Sequence, residues 1–160
     1  MTLAIRPAAP ADAGIILRFV RELADYEREP DAVEATEAML AEALFGDRPD
    51  AEALIAEIDA VPIGFALFFH NFSTWKGKRG IYLEDLYVTP AARGSGAGKA
   101  LLRRIARLAV ERGCARFEWS VLDWNTPAID FYRAMGAVAM EEWTVQRVSG
   151  DALLRLAEGV

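Results

Sequence analysis

The stretch "ARGSGAGKALL", residues 92–102, sets glycines at 94, 96 and 98 behind an arginine and ahead of an apolar run. Glycine at that density costs backbone entropy, so the chain needs there a conformation or a close approach that a Cβ would forbid. The residues from Lys99 to Val110 have helical spacing. Leu101, Leu102, Ile105, Leu108 and Ala109 share one stripe, and Arg103, Arg104, Arg107 and Glu111 lie opposite. Gly113 is a fitting terminator. A glycine-rich loop that feeds a helix N-terminus presents free N–H groups and a positive dipole end to an anion. The question is which anion.

The rest of the chain supplies strands and helices around that unit. "LAIR" reads as a short strand. Pro10 suits the first position of a helix, with Asp12 near its positive end, and Ile16, Phe19, Val20 and Leu23 form its buried stripe before Pro30 ends it. A second helix is expected from about Glu34 to Phe45, burying Met39, Leu40, Ala43 and Leu44. "AEALIAEI" and "IGFALFFH" read as strands joined by a turn at "DAVP", and the loop "NFSTWKGKRG" leads to a strand, "IYLEDLYV". After the long helix come a strand in "ARFEWSVL", a helix from about Asn125 to Met135 closed by Gly136, a strand from Val138 to about Val148, and a short helix in "GDALLRLAE". The order β-α-α-β-β-β-α-β-α-β describes an α/β fold with a mixed, mostly antiparallel central sheet and flanking helices.

Composition narrows the function. A length of 160 residues with 53% apolar content suits one domain, residues 1–160. No apolar run approaches the roughly 18 residues of a membrane span, and "MTLAIRP" lacks a signal-peptide pattern. A single cysteine excludes an internal disulfide and suits a cytoplasmic protein. One histidine and one cysteine disfavour a His/Cys zinc site, so no metal is expected. A net charge of −6 speaks against a nucleic-acid partner and mildly favours cationic small molecules.

Two nucleotide-loop readings fail on the glycine-rich segment. A P-loop needs G-x-x-x-x-G-K-[ST], and "RGSGAGKA" has Arg93 at the first glycine and Ala100 where a hydroxyl would ligate magnesium. A dinucleotide G-x-G-x-x-G begun at Gly94 or Gly96 meets Lys99 or Leu101 at its last glycine. The pattern R/Q-x-x-G-x-G/A is met in full by Arg93, Gly96 and Gly98. Together with "YLEDLYVTPAARGSGAGKALL", "VLDWNTPAIDFYRAMGA" and "ELADYE", it makes the chain resemble the diamine N-acetyltransferases of the GNAT superfamily. "STWKG", "LEDLYV" and "VLDWN" are most similar to the thialysine-acetylating branch. The resemblance runs from "IRPA" to the final helix. It implies a homodimeric enzyme that moves an acetyl group from acetyl-CoA to a small-molecule amine, without metal or covalent intermediate. It also implies a GNAT fold with a bulged, splayed strand. A transferase of this fold for an unrelated acceptor, such as a protein N-terminus or an aminoglycoside, remains a rival. So does a catalytically silent CoA-binding regulatory domain.

Amine acetylation by a thioester asks for a proton acceptor, oxyanion donors and an acid for the leaving thiolate. Glu84 and Asp85 sit mid-strand in an apolar run, where period-2 alternation would put them on opposite faces. A solvated edge carboxylate is the plain reading; by the resemblance, Glu84 contacts the acceptor or takes its proton. The backbone of Leu86, Tyr87 and Val88, opened by the expected bulge, would serve pantetheine and the oxyanion. Arg93, Gly94, Ser95, Gly96, Ala97, Gly98 and Lys99 would hold the pyrophosphate. Asn125 and Tyr132 lie seven residues, about 10.5 Å, apart on one helix face, with Ala128 on the same stripe. Taken alone, Asn125 is a helix cap and Tyr132 a core aromatic. The resemblance makes Asn125 a CoA contact and Tyr132 the acid that protonates the thiolate. It likewise brings Tyr26 and Glu27, otherwise a solvated helix end, to the acceptor amine, together with Glu118, Trp119 and Ser120. Glu141 or Glu142 would stand near a second substrate carboxylate. His70 has no serine or cysteine nucleophile placed with it, Cys114 reads as a buried small hydrophobe, and Lys76, Lys78 and Arg79 read as a solvated hairpin tip.

Overall fold

The alternation in "AEALIAEI" and "IGFALFFH" is realised, in a computed structural model describing residues 1–159, as strands β2 (Glu52–Ile58) and β3 (Val61–Ser73). The turn between them is two residues long. Asp59 and Ala60 both have positive φ, 50° and 65°, the geometry of a type I′ hairpin turn, whose twist matches that of the flanking strands. The first strand, β1 (Leu3–Pro7), pairs antiparallel with β2 from Leu3↔Ile58 to Pro7↔Leu54.

β3 pairs antiparallel with β4 (Lys78–Val88), and their ladder is longer than the sequence suggested. Asn71, Phe72 and Ser73 pair with Gly80, Arg79 and Lys78, so most of the expected loop is strand and only residues 74–77 turn the chain. Each further rung pairs backbone N–H and C=O groups that a loop would leave to water, and Gly77, with φ 63°, allows the tight reversal. Lys76, Lys78 and Arg79 are exposed at the tip, as expected.

The loop "ARGSGAG" then enters α3 (Ala97–Glu111), which crosses over to β5 (Phe117–Trp119), parallel to β4. The five strands lie in the order β1-β2-β3-β4-β5, three antiparallel pairings and one parallel. This is the mixed, mostly antiparallel sheet the sequence implies.

Helices cover both faces. A single 3-10 turn, Pro10–Asp12, leads into α1 (Ala13–Tyr26). Asp12 accepts two bonds from the Arg6 guanidinium, at 2.7 and 2.9 Å, and one from Ala9 N–H at 2.7 Å, which tie β1 to the helix start. α2 (Glu37–Phe45) begins later than expected, because the Thr36 hydroxyl caps it by accepting from Met39 N–H at 3.2 Å. Started in that phase, the helix buries Leu44, with Leu40 and Phe45 partly covered; Met39, expected inside, is exposed. Ile16 and Phe19 of α1 pack with Leu44, Ala53, Ile55, Phe65 and Tyr87 in one cluster. Phe19 stacks on Phe65 with centroids 5.9 Å apart and meets the Tyr87 ring at the same distance. Each such ring contributes about 1.5–3 kcal/mol by burial. β2 is buried at every position from Ala53 to Ala56, so the alternate residues Leu54 and Ala56 face the other layer, where Leu101, Leu102, Ile105 and Ala109 of α3 are buried.

Residues Met1–Leu122 form one compact unit, and a second begins at Asp123. The second unit holds α4 (Thr126–Ala134) and α5 (Gly150–Glu158). The strand expected from Val138 to Val148 is not formed. No described residue pairs with that segment, and Val138, Met140, Trp143, Val145 and Val148 are exposed. A sequence can carry a strand's alternation, but the strand exists only where a neighbour supplies backbone partners. Among the described residues no helix is long and apolar enough to cross a membrane.

Candidate active site

β4 carries a bulge at the position that matters. Leu67 of β3 faces Asp85 while the next residue, Phe68, faces Leu83, so Glu84 is the extra residue with no partner opposite. The bulge changes the alternation of the strand. Glu84 is exposed and Asp85 is half-buried. Burial, then the charges of Glu84 and Glu27, push the Asp85 carboxyl up to about 6. Asp85 is the group that sequence reasoning passed over in favour of Glu84. The "ED" pair within an apolar strand was the available signal, but which of the two is desolvated depends on the bulge.

The other edge of β4 opens at the same place. Its parallel pairing with β5 covers Ile81↔Phe117, Tyr82↔Glu118 and Leu83↔Trp119, and then stops. Leu86, Tyr87 and Val88 remain paired with β3, through Ala66, Phe65 and Gly64, but among the described residues have no strand partner on the β5 side. The splay expected in this strand therefore lies on that side. Gly64 allows β3 to follow β4 closely, since a Cβ there would stand 2.5 Å from the Tyr87 carbonyl oxygen.

Beyond Val88 the chain turns through Pro90–Ala92 and reaches the glycines. Gly94 and Gly96 have φ 84° and 87°, left-handed conformations that side chains resist, and a Cβ at either would point into open space. Gly96 is the N-cap of α3 and supplies no side-chain cap. The first helical bond runs from Ala100 N–H to Gly96 C=O, so the N–H groups of Gly98 and Lys99 have no helical acceptor. The Ser95 hydroxyl accepts from Ala97 N–H at 3.3 Å. Open space over two left-handed glycines, orphan N–H donors and the positive end of a 15-residue helix fit a pyrophosphate.

α1 ends against this loop. The Arg93 guanidinium carbon lies 5.0 Å from the centroid of the Tyr26 ring, and Arg93 Nε donates to Val88 C=O over a long 3.4 Å. Glu27 comes next after Tyr26, and burial pushes its carboxyl up as well. In the first unit, Arg93 of the loop thus meets Tyr26 and Val88, while Asp85 lies within the charge influence of Glu84 and Glu27.

Other expected site residues are engaged by the fold itself. Glu118 on β5 pairs with Arg116 at 2.7 Å and accepts from Asn71 Nδ2 at 3.2 Å. Trp119 packs on Phe117 with centroids 4.8 Å apart, and Ser120 Oγ is 2.8 Å from the Tyr82 hydroxyl. In the second unit, buried Asn125 caps α4, its Oδ1 accepting from Ala128 N–H at 3.4 Å. Tyr132 lies further along the same helix, half-buried, with its ring 5.5 Å from that of Phe131. Glu141 and Glu142 are exposed. His70 has a structural place: its Nδ1–H donates to Gly80 C=O at 2.9 Å, and Nε2 accepts from Arg112 Nη1 at 3.0 Å, while Arg112 grips Glu52 through two bonds of 2.7 and 2.9 Å. Cys114 is half-buried rather than enclosed.

This loop, splayed strand and sheet order are those of an acetyltransferase fold. The Acetyltransferase (GNAT) family model matches residues 17–137, and the chain belongs to that family of N-acetyltransferases. It is 42% identical to the thialysine N-epsilon-acetyltransferase of Bos taurus over 96% of each chain. It is 33% identical to the L-ornithine N5-acetyltransferase NATA1 of Arabidopsis thaliana, over 93% of this chain and 85% of the relative. Among solved structures, an integron cassette protein from the mobile metagenome of V. cholerae superposes with a TM-score of 0.82 at 28% identity, covering 99% of each chain.

Proposed function

We propose that this N-acetyltransferase takes acetyl from acetyl-CoA and gives it to a primary amine on a small molecule: a polyamine, thialysine or a related side-chain amine. The single observation that carries the reading is the bulge at Glu84, which sets Glu84 and the desolvated Asp85 on β4 where its pairing with β5 ends. A carboxyl held near 6 is matched to accepting a proton at neutral pH, and neighbouring acids attract a cationic substrate. The names of the bovine and plant relatives, both acting on an amine at the end of an amino-acid side chain, support that acceptor class.

The division of labour rests on the residue types. Tyr26, Glu27 and Glu84 hold the ammonium, with Glu118, Trp119 and Ser120 lining its far end. Glu84 or Asp85, directly or through water, takes the proton that frees the amine lone pair for direct attack. Backbone groups of Leu86–Val88 steady the pantetheine arm and the developing oxyanion. Arg93, the loop from Gly94 to Gly98 and Lys99 receive the pyrophosphate. Bound acetyl-CoA supplies the acetyl thioester. Asn125 and Ala128 contact it, and the Tyr132 hydroxyl, a phenolic O–H donor, protonates the leaving thiolate. The enzyme works in the cytoplasm as a homodimer with no nucleic-acid, membrane or metal partner, the whole chain acting as one domain. The exposed apolar side chains of 138–148 and of α5 (Leu153, Leu154 and Leu156) are surface that a second copy would cover.

Release of free CoA thiol, monitored with thialysine, ornithine, spermidine, an aminoglycoside and an alanine-ended peptide, tests the reading. Turnover with one of the first three supports it. Turnover confined to the aminoglycoside or the peptide replaces the acceptor, and CoA binding without turnover on any amine makes the chain a silent binding domain.

A further inference from the structure

The cofactor loop and the acidic corner are joined through one ring. Tyr26 is the last residue of α1, and the end of that helix is rigidly closed: Glu27 N–H donates to Leu23 C=O at 2.9 Å and Glu29 N–H to Ala24 C=O at 2.8 Å. Between them Arg28 holds a left-handed φ of 65°, a position that glycine ordinarily fills in such a closure. A non-glycine residue kept there marks a segment whose surroundings determine it closely. The backbone that carries the Tyr26 ring is therefore held, with Glu27 beside it.

Arg93 lies against that ring with its guanidinium carbon 5.0 Å from the centroid, inside the range in which the ring's negative face attracts a cation. The Arg93 backbone is set by the turn before it, its N–H donating to Pro90 C=O at 3.3 Å, and its Nε reaches Val88 C=O. Its two terminal nitrogens make no hydrogen bond or ion pair among the described residues. A long, flexible cation is thus stilled along its stem while its anion-binding end stays open. Ordering a side chain before its ligand arrives removes an entropic cost from binding.

We infer that Tyr26 is a positioning residue for the cofactor: its ring holds Arg93 in the orientation that meets a phosphate at the loop, so the end of α1 that faces the acceptor also sets the affinity of the donor site. The inference rests on the reading that the loop holds acetyl-CoA. Whatever coupling an amine bound beside Tyr26 exerts on CoA affinity through this ring, CoA exerts on amine affinity by the same factor.

Calorimetric titration with free CoA tests it on the full chain, for the wild type, Tyr26→Phe, Tyr26→Leu, Tyr26→Gln, Arg93→Ala and the double variant Tyr26→Leu/Arg93→Ala. Melting curves confirm that each is folded; the glutamine variant stands in if leucine does not fold. Removing the ring is expected to weaken CoA by roughly 3–10-fold, from the loss of a stacked and preorganised cation. Phenylalanine should restore wild-type affinity, and Tyr26→Leu should add nothing in the Arg93→Ala background. Wild-type affinity in both ring-less variants, or independent and additive losses in the double variant, would overturn the positioning role and leave the loop reading standing. A wild-type chain that binds no CoA would overturn both.

Discussion

Asp85 on β4 lies in the electrostatic field of Glu27, which closes the end of α1, and the two carboxyls are raised together as burial strips water from both. Two partly buried acids of like charge are an unfavourable arrangement on their own and a receptive one for an ammonium. In the proposed function stability and catalysis pull against each other there, which makes this corner the place to perturb first.

Asp85→Asn should stabilise the fold at neutral pH and impair catalysis. The folded-state carboxyl, near 6, lies above its unfolded value near 3.9, so the folded chain binds the extra proton between those limits. Its unfavourable contribution is absent below about pH 4, grows as pH rises, and is complete above about pH 6. Its full size is about 3 kcal/mol. The variant should melt above the wild type at pH 7.5 and close to it at pH 4, with turnover reduced at pH 7.5. Equal melting temperatures at pH 7.5 would place Asp85 in contact with water.

Gly96→Ala should damage the loop more than the fold. At φ 87° an alanine costs about 1–2 kcal/mol of backbone strain, while its Cβ meets no protein atom within 4 Å. CoA affinity, read by calorimetry, should fall by tenfold or more as the methyl intrudes on the anion's approach. An unchanged affinity beside a lowered melting temperature would make the loop a turn and nothing else.

Ala60→Gly probes the scaffold alone. Ala60 holds φ 65° in the type I′ turn between β2 and β3, where glycine is at ease. The substitution should raise stability by up to about 1 kcal/mol and the melting temperature by about 2–4 °C, with turnover unaltered. A fall in melting temperature would show that the turn relaxes in solution.

Tyr132→Phe removes one oxygen from a half-buried ring on α4. If that hydroxyl protonates the leaving thiolate, turnover should drop by roughly 10²-fold or more. A donor whose leaving group needs no proton should lose less. If it only completes a hydrogen bond, the cost is about 1 kcal/mol of stability with turnover nearly intact. Melting and steady-state rates on one preparation separate the two.

The proposed dimer is tested at the exposed apolar segment 138–148. Trp143→Ser with Val145→Ser should leave the Met1–Leu122 unit folded, since both side chains are exposed in the second unit. Light scattering behind size exclusion should show a dimer for the wild type and a shift toward monomer for the variant. A wild-type monomer at micromolar concentration would end the dimer reading.

What could be read along the chain was whatever depends on near neighbours. The glycines at 94 and 96 declare their own left-handed turns, the Leu101, Leu102 and Ile105 stripe declares its helix, and Gly113 and Gly136 stop their helices with positive φ. These features arise from sterics and periodicity within a few residues, which a sequence displays directly. The tertiary structure decided what depends on residues distant in sequence. The phase of α2 left Met39 in water, and the ladder of β3 on β4 absorbed most of a loop. The segment 138–148 kept a strand's pattern but found no described partner to pair with. The same holds for the carboxylates: "ED" is two acids in a row until the register slips between Leu67 and Phe68, turns Glu84 to solvent and leaves Asp85 partly buried near Glu27. Desolvation is a property of surroundings, and surroundings are assembled only when strands and helices far apart in the chain meet.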